Sequence, residues 1–448
     1  MAWYENGVFY HIYPLGLCNA PKINEKKPVT ERLEMLNPWI DHIKEIGCNA
    51  IYLGPVFESV GHGYETTDYK TVDRRLGTND SLKKFVQTCH EKGIRVVLDG
   101  VFNHTGREFF AFQDIKEKRE QSAYKDWYCN VNFWGNNEYN DGFSYDNWGG
   151  YNLLVKLNQR NPQVIDYIGN VIKYWVEEFD IDGIRLDAAD VLDFDYMKSM
   201  RRIANEVKED FWLMGEVIHG DYGRWVNDEM LHSVTNYQLH KALFSGHNDH
   251  NYFEIAHNVK YVYNQVGGNL AKLYNFLDNH DVDRIASKVV NKDNLVPIYY
   301  LLYTLPGVPS IYYGSEFAVE GTKVNGSDDG LRPALNLVEL QSEKAGSKLL
   351  KEIGQLGMLR QQSAVLARGQ YEELMLTNRQ FAFKRMLDNE AVVTIVNNDE
   401  QEAHVNVPVK MQAVEAKDVF SGEIIEIQNG TIQTTLEKNS GRIFYIKG

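Results

Sequence analysis

Along the chain, continuous runs of apolar and aromatic residues alternate with stretches that place apolar residues at helical spacing. Eight runs stand out: VFYHIYPL (8–15), AIYLGPV (50–56), RVVLDGVF (95–102), GIRLDAA (183–189), WLMGEV (212–217), SVTNY (233–237), KLYNFLD (272–278) and SIYYG (310–314). Apolarity that is continuous rather than alternating predicts strands buried on both faces, as in a parallel sheet. Between them, PWIDHIKEIG and SLKKFVQTCHEKG read as helices closed by a glycine, and VIDYIGNVIKYWVEEF as a longer amphipathic helix. Eight strand–helix units are the count of a (β/α)8 barrel, whose core takes ~250 residues. That barrel is assigned to residues 1–103 and 161–366, a span long enough to hold insertions.

The clearest interruption is residues 104–160, after the third strand. It is rich in Asn, Trp, Tyr and Gly (NVNFWGNNEYNDGFSYDNWGGYN) and has little helical period. An inserted domain there stands over the barrel's C-terminal face, where aromatic rings could form a carbohydrate-stacking wall or serve only as a structural loop. From 367 to 448 the texture changes again. FAFKRML, AVVTIVNN, HVNVPV, KDVFSG, IIEIQNG and RIFYIKG are short strands separated by turn signals, which predicts a small C-terminal antiparallel β-sandwich.

Composition narrows the function classes. A net charge of −15 argues against nucleic-acid partners, which need a basic face. Residues 295–315 carry no charge, yet three prolines and five tyrosines argue against a bilayer helix, so no membrane partner is expected. The N-terminus lacks a basic segment followed by an apolar one, so no secretory signal is expected and the reading is cytoplasmic. Cys18, Cys48, Cys89 and Cys129 show no metal or disulfide spacing and read as free core thiols of a reducing compartment.

In a barrel of this kind, residues at the C-terminal ends of strands line the site. Asp99 and His104 follow the third run, Arg185 and Asp187 the fourth, Glu216 the fifth, and His280 and Asp281 the seventh; Tyr64 lies on the loop after the second. Taken singly, each has a structural reading as a cap, a surface charge or a satisfied core histidine. Together, three acids at three strand ends suit cleavage of a glycosidic bond, which needs a nucleophile, a proton donor and a group that steadies the charged sugar. Arg185 lies two residues before Asp187 on the same strand, faces the same side and can hold that carboxylate ionised. Glu216 follows Met214–Gly215, a less charged setting that would favour its protonated form.

The strings DGVFNH (99–104), GIRLDAAD (183–190), GEVIH (215–219) and FLDNHD (276–281) resemble the four signature regions of the α-amylase family, glycoside hydrolase family 13. GVPSIYYGSE (307–316) is similar to that family's strand-eight region, and the order of all five matches along the chain. The resemblance implies Asp187 as nucleophile, Glu216 as general acid/base and Asp281 as stabiliser of the distorted sugar. It further implies that His104 and His280 bind sugar hydroxyls, that Tyr64 stacks on the ring, and that Asp99 supports Arg185.

Finer strings resemble the neopullulanase, cyclomaltodextrinase and maltogenic amylase group. They are LVKLN (154–158), SAYKDWY (122–128), WGGYN (148–152) and the small Ala188 after the nucleophile, a residue that in this resemblance goes with α-1,4 cleavage. Asp328 and Arg332 in SDDGLRP resemble the pair that holds the next sugar in that group, and an ordinary surface ion pair is an equal reading. Gly61 stands where strict exo-α-glucosidases carry a capping Asp, which speaks against a closed single-glucose pocket. That group also carries an additional N-terminal β-domain used in dimerisation. This chain begins a few residues before its first strand, which leaves the oligomeric state open. Asn103 matches a calcium ligand of calcium-dependent relatives, but Ala189-Asp190-Val191 replaces the accompanying Lys-His, so no structural calcium and no cofactor are expected. The resemblance thus implies a retaining hydrolase of maltodextrins or cyclomaltodextrins. A 4-α-glucanotransferase using the same site remains the alternative, and a non-catalytic relative would have lost acids that this chain keeps.

Overall fold

The computed structural model describes residues 2–448. Eight parallel strands wind into one sheet: β1 (Phe9–Ile12), β2 (Ala50–Leu53), β3 (Arg95–Gly100), β4 (Gly183–Leu186), β5 (Trp212–Gly215), β6 (Ser233–Val234), β7 (Tyr274–Phe276) and β8 (Val308–Tyr312). Neighbours follow chain order from β1 to β6, and β8 joins β1 on one side and β7 on the other. The seam between β6 and β7 is closed by a parallel bridge from Thr235 to Tyr274. Each run predicted as a strand supplies one stave.

All eight strands are almost wholly buried, because helices cover the outside and side chains fill the inside. The interior is packed by Phe9, Ala50, Tyr52, Val97, Trp212, Met214, Tyr274, Phe276 and Val308. Outside lie helices α1 (Asn37–Glu45), α2 (Asn79–Glu91), α3 (Pro162–Phe179), α4 (Phe194–Val207), α5 (Tyr237–Asn248), α6 (Tyr252–Val266), α7 (Leu295–Thr304) and α8 (Lys348–Gln362). Local chemistry sets their ends. In α3, Asn161 accepts from the Gln163 amide and Pro162 occupies the first turn, where its missing N–H costs nothing.

The strict alternation of strand and helix breaks once. Only a 3-10 turn at Tyr222–Arg224 lies between β5 and β6, and β6 is followed by two helices, α5 and α6. The stretch between β5 and β6 includes Gly220 at φ +110° and runs of polar residues, so it forms a loop beside Glu216 rather than a cover for the barrel.

Residues 104–106, 147–148 and 151–156 form a separate three-stranded sheet over the barrel mouth. Its hairpin turns through Gly149 and Gly150, at φ +64° and +85°, which suits a tight turn that other residues resist. Beyond α8, six strands make one sheet: β9 (Gln370–Leu376), β10 (Gln380–Leu387), β11 (Glu390–Asn397), β13 (Glu415–Asp418), β14 (Ile424–Glu426) and β16 (Ser440–Lys447). A two-stranded sheet of β12 (Ala403–Pro408) and β15 (Thr431–Leu436) packs against it around Val393, Ile395, Val407, Ile432 and Phe444. The four cysteines are free thiols; three are buried, but Cys129 is half-exposed beside the inserted sheet rather than in the core.

Among the described residues no helix is long and apolar enough to cross a membrane.

Candidate active site

Register brings the site together. Asp99 on β3 and Met214 on β5 both stand level with Arg185 on β4, so Arg185 lies between two neighbours at one height inside the barrel. Asp187 and Glu216 each follow two residues later, just past the strand ends at the rim. Gly215 is needed just before Glu216, since a Cβ there would lie 2.4 Å from Leu231 Cδ1 and 2.8 Å from Ala189 Cβ.

Arg185 is the hub. Its Nη1 donates to Asp99 Oδ1 at 2.9 Å and to Asp187 Oδ1 at 2.9 Å, while Nη2 pairs with Glu216 Oε2 at 2.9 Å. Asp99 is fully buried and also accepts the hydroxyls of Tyr52 at 2.8 Å and Tyr64 at 3.0 Å. Asp99 therefore fixes the guanidinium, and the guanidinium fixes two carboxylates at the rim. The Oδ2 atom of Asp187 takes no hydrogen bond from any described residue and is left open to the barrel mouth.

Glu216 does not sit in the uncharged setting that its sequence neighbours suggest. Met214 and Gly215 describe its own strand, whereas its carboxylate meets Arg185 from the adjacent one. Its Oε2 also accepts the Ala188 amide at 3.1 Å, and its Oε1 accepts the Tyr237 hydroxyl at 3.3 Å. Ala188 is left-handed, at φ +47°, a costly conformation for a residue with a Cβ, and that conformation accompanies the donation of its amide to Glu216.

Asp281 is held differently. Its Oδ1 accepts Arg332 Nη2 at 2.9 Å and its Oδ2 meets His280 Nε2 at 3.0 Å, so both oxygens have partners. Arg332 also pairs with Asp328 at 2.9 Å and donates from Nε to the His280 carbonyl at 3.0 Å. Asp328 and Arg332 thus lie at the site rather than apart from it. The His280 ring lies within 10° of parallel to those of Tyr64 and Tyr13, and its Nε2 also contacts the Tyr64 hydroxyl.

His104 is buried with both ring nitrogens engaged, Nε2 by the Tyr64 carbonyl at 3.1 Å and Nδ1 by Asn103 Nδ2 at 3.2 Å. The structure leaves it no spare donor for a sugar. The partly exposed Trp148 ring lies 5.9 Å from it, at the tip of the inserted hairpin.

Electrostatics separates the three acids. Burial pushes the Asp187 carboxyl well above the usual range; Arg185 pulls it down, and the charges of Glu216, Asp99 and Asp281 push it up. Asp187 and Glu216 share one guanidinium, and the crowding of carboxylates around Asp187 disfavours its ionised form. Asp281 goes the other way: burial raises it, but His280 and Arg332 outweigh that and hold it far below the ordinary carboxylate range. Burial lowers His104 to about 4, so it is neutral at physiological pH.

The Asn103 side chain is engaged within the protein. Its Oδ1 accepts Gln159 Nε2 at 2.9 Å, and Gln159 Oε1 in turn accepts the Asp193 amide at 2.6 Å. Among the described residues no group of three His, Cys, Asp or Glu side chains is placed to hold a metal.

Sequence reasoning singled out Asp99, Asp187, Glu216, Asp281, Arg185, His280, Tyr64, His104, Asp328 and Arg332, and the structure brings all ten to the barrel mouth. It missed Tyr237, Asn279, Tyr52 and Tyr13: Asn279 lies within the FLDNHD string and the tyrosines within strand runs, but nothing in those strings marks these side chains as contacts of the acids.

A barrel whose rim gathers two carboxylates on one guanidinium, with a third acid fixed separately opposite, is a glycosidase-type site. The Alpha-amylase model (alpha amylase, catalytic domain) matches residues 33–345, and the chain belongs to the α-amylase family. The chain is 31% identical over 425 residues to a cyclomaltodextrinase from Bacillus sp, an alignment covering 89% of this chain and 74% of that protein. It is 30% identical over 453 residues to a maltogenic alpha-amylase from Bacillus acidopullulyticus, covering 96% of this chain and 75% of that one. Among solved structures, one of a cyclomaltodextrinase superposes with a TM-score of 0.86 at 26% identity, covering 99% of this chain and 78% of the other.

Proposed function

We propose that this protein is a retaining glycoside hydrolase that cleaves α-1,4-glucosidic bonds of maltodextrins and cyclomaltodextrins through a covalent glycosyl-enzyme. The observation that carries this reading is the Arg185 fork, which bonds Asp187 and Glu216 from adjacent nitrogens at 2.9 Å each. One planar guanidinium holding both carboxylates keeps them near each other on one rim, in keeping with the separation of about 5 Å in retaining enzymes.

The partners distribute the roles. Asp187 has an open Oδ2 to attack the anomeric carbon. Asp281, with both oxygens tied to His280 and Arg332, is ill placed to attack and well placed to stay ionised beside a positively charged sugar. Glu216 is left as the group that protonates the leaving oxygen and later takes a proton from water. Relatives named for cyclomaltodextrins and maltogenic action, about three quarters of whose length this chain spans, support α-1,4 glucans as substrates. The reaction needs no metal, and the amide-filled Asn103 site supports a protein without structural calcium. Free thiols support a cytoplasmic place.

Incubation with maltotriose, a cyclodextrin, pullulan and isomaltose, followed by product identification, tests the reading. Glucose and maltose from the first two substrates, with isomaltose untouched, are expected. Oligomers longer than maltotriose would mean transfer to a sugar acceptor instead of water, and cleavage of isomaltose alone would overturn the assignment.

A further inference from the structure

The protein treats the two oxygens of Glu216 unequally. Oε2 receives a cationic donor, Arg185 Nη2 at 2.9 Å, and a backbone amide, Ala188 at 3.1 Å. Oε1 faces a single group, the Tyr237 hydroxyl at 3.3 Å. Two donors on Oε2 make it the charged oxygen of the acid, so the transferable proton belongs on Oε1.

Tyr237 is itself oriented. Its hydroxyl accepts Asn279 Nδ2 at 3.0 Å, and Asn279 Oδ1 accepts the Asp281 amide at 2.8 Å and the Val282 amide at 3.1 Å. A phenol oxygen that already accepts from an amide has its own proton left to give, and Glu216 Oε1 is the acceptor within reach. Burial, with the charges of Glu216 and Asp281, raises the phenol well above its ordinary value, so it keeps that proton through the cycle.

We propose that Tyr237 is the positioning residue for proton transfer at Glu216: its Asn279-oriented hydroxyl aims Oε1 at the leaving oxygen and stabilises the carboxylate left when the proton has gone. The proposal rests on the reading of Glu216 as acid/base. In the first step the Oε1 proton passes to the glycosidic oxygen as the C1–O bond breaks and its electron pair stays with that oxygen. Asp187 Oδ2 forms the new bond to C1. Glu216 is then ionised, and Tyr237 donates to it. In the second step water bonds to C1, its proton returns to Oε1, and the ester electron pair returns to Asp187. Because Asn279 also holds the turn that carries Asp281, the same link ties the proton donor to the acid across the cleavage point.

The test is Tyr237→Phe, which keeps the ring that packs edge-on against Phe276 at 4.9 Å. Its kcat/KM is measured on maltotriose, whose leaving group needs a proton, and on a 2,4-dinitrophenyl α-maltoside, whose leaving group does not. The expected result is a loss of about tenfold on maltotriose and less than about twofold on the activated substrate, with KM little changed. The basic limb of the maltotriose profile should move upward by about half a pH unit or more, because a donor to the charged form has been removed. Equal losses on both substrates, or an unmoved basic limb, would overturn the proposal. Glu216→Gln is measured alongside. Contrast between substrates in that variant but not in Tyr237→Phe would overturn the proposal alone, and absence of contrast in Glu216→Gln would overturn the acid/base reading and the proposal with it.

Discussion

Replacing Arg185 with Lys keeps the positive charge and removes the fork. In the native site one buried guanidinium serves Asp99 at 2.9 and 3.2 Å, Asp187 at 2.9 Å and Glu216 at 2.9 Å. An ammonium is a single point, and it cannot stay against Asp99 while reaching two carboxylates from separate nitrogens. Losing one charge-assisted bond costs about 1.5–3 kcal/mol, or roughly 10- to 150-fold in rate where the bond is made in the transition state. One lost bond therefore sets a floor near tenfold, and loss of both rim bonds sets a ceiling near 10⁴-fold.

The variant should also shift the pH profile. Burial already raises the Asp187 carboxyl and Arg185 opposes that rise. A weaker opponent raises it further, and attack requires the ionised form, so the acidic limb of kcat/KM moves to higher pH. The assay is reducing-sugar release from maltotriose between pH 4 and 8, with thermal melting to confirm folding. Activity within threefold of the native protein, on an unshifted acidic limb, would refute the reasoning.

Other consequences follow from the same structure. Burial holds the imidazoles of His104, His240 and His247 at about 4 and that of His232 at about 3, all below the unfolded value of 6.5. Their neutral forms stabilise the fold above pH 6.5, and that stability is lost as pH falls from there toward the folded values, at up to about 1.4 kcal/mol per pH unit for each. Melting temperature should therefore drop steeply between pH 6 and 4, and a flat curve there would contradict the burial of these rings. A chelator should leave activity and melting temperature unchanged, because Gln159 occupies Asn103 Oδ1; a large fall in either would restore a cation to that place. Trp148→Ala should raise KM for maltotriose by about two- to tenfold with a smaller change in kcat, since the exposed ring can stack on a sugar beside His104. An unchanged KM would remove Trp148 from substrate contact.

The barrel was legible because strands buried on both faces advertise themselves as unbroken apolar runs, and even the two-residue β6 lay inside one, SVTNY. The missing helix before β6 was not legible: a count of strands says nothing about whether a given connection is helical. The positions of the acids followed from strand ends, but their environments did not. Met214 and Gly215 describe the strand that carries Glu216, whereas Arg185 reaches it from the next strand, through a register no single segment encodes. The contact between Tyr237 and Asn279 spans 42 residues and two different strand ends, so neither motif announces it. His104 shows the converse: its motif is plain, yet neighbours at Asn103 and Tyr64 take both nitrogens that the motif offers to a sugar.

The central claim is that Asp187 forms the covalent bond to the sugar. Incubation with a slow, fluorine-substituted maltosyl fluoride should leave a glycosyl ester on the protein, and peptide mapping by mass spectrometry locates it. An adduct on the peptide containing Asp187, at that side chain, is the expected result. An adduct on Glu216 or Asp281, or turnover of the reagent with inversion and no adduct, would contradict the account.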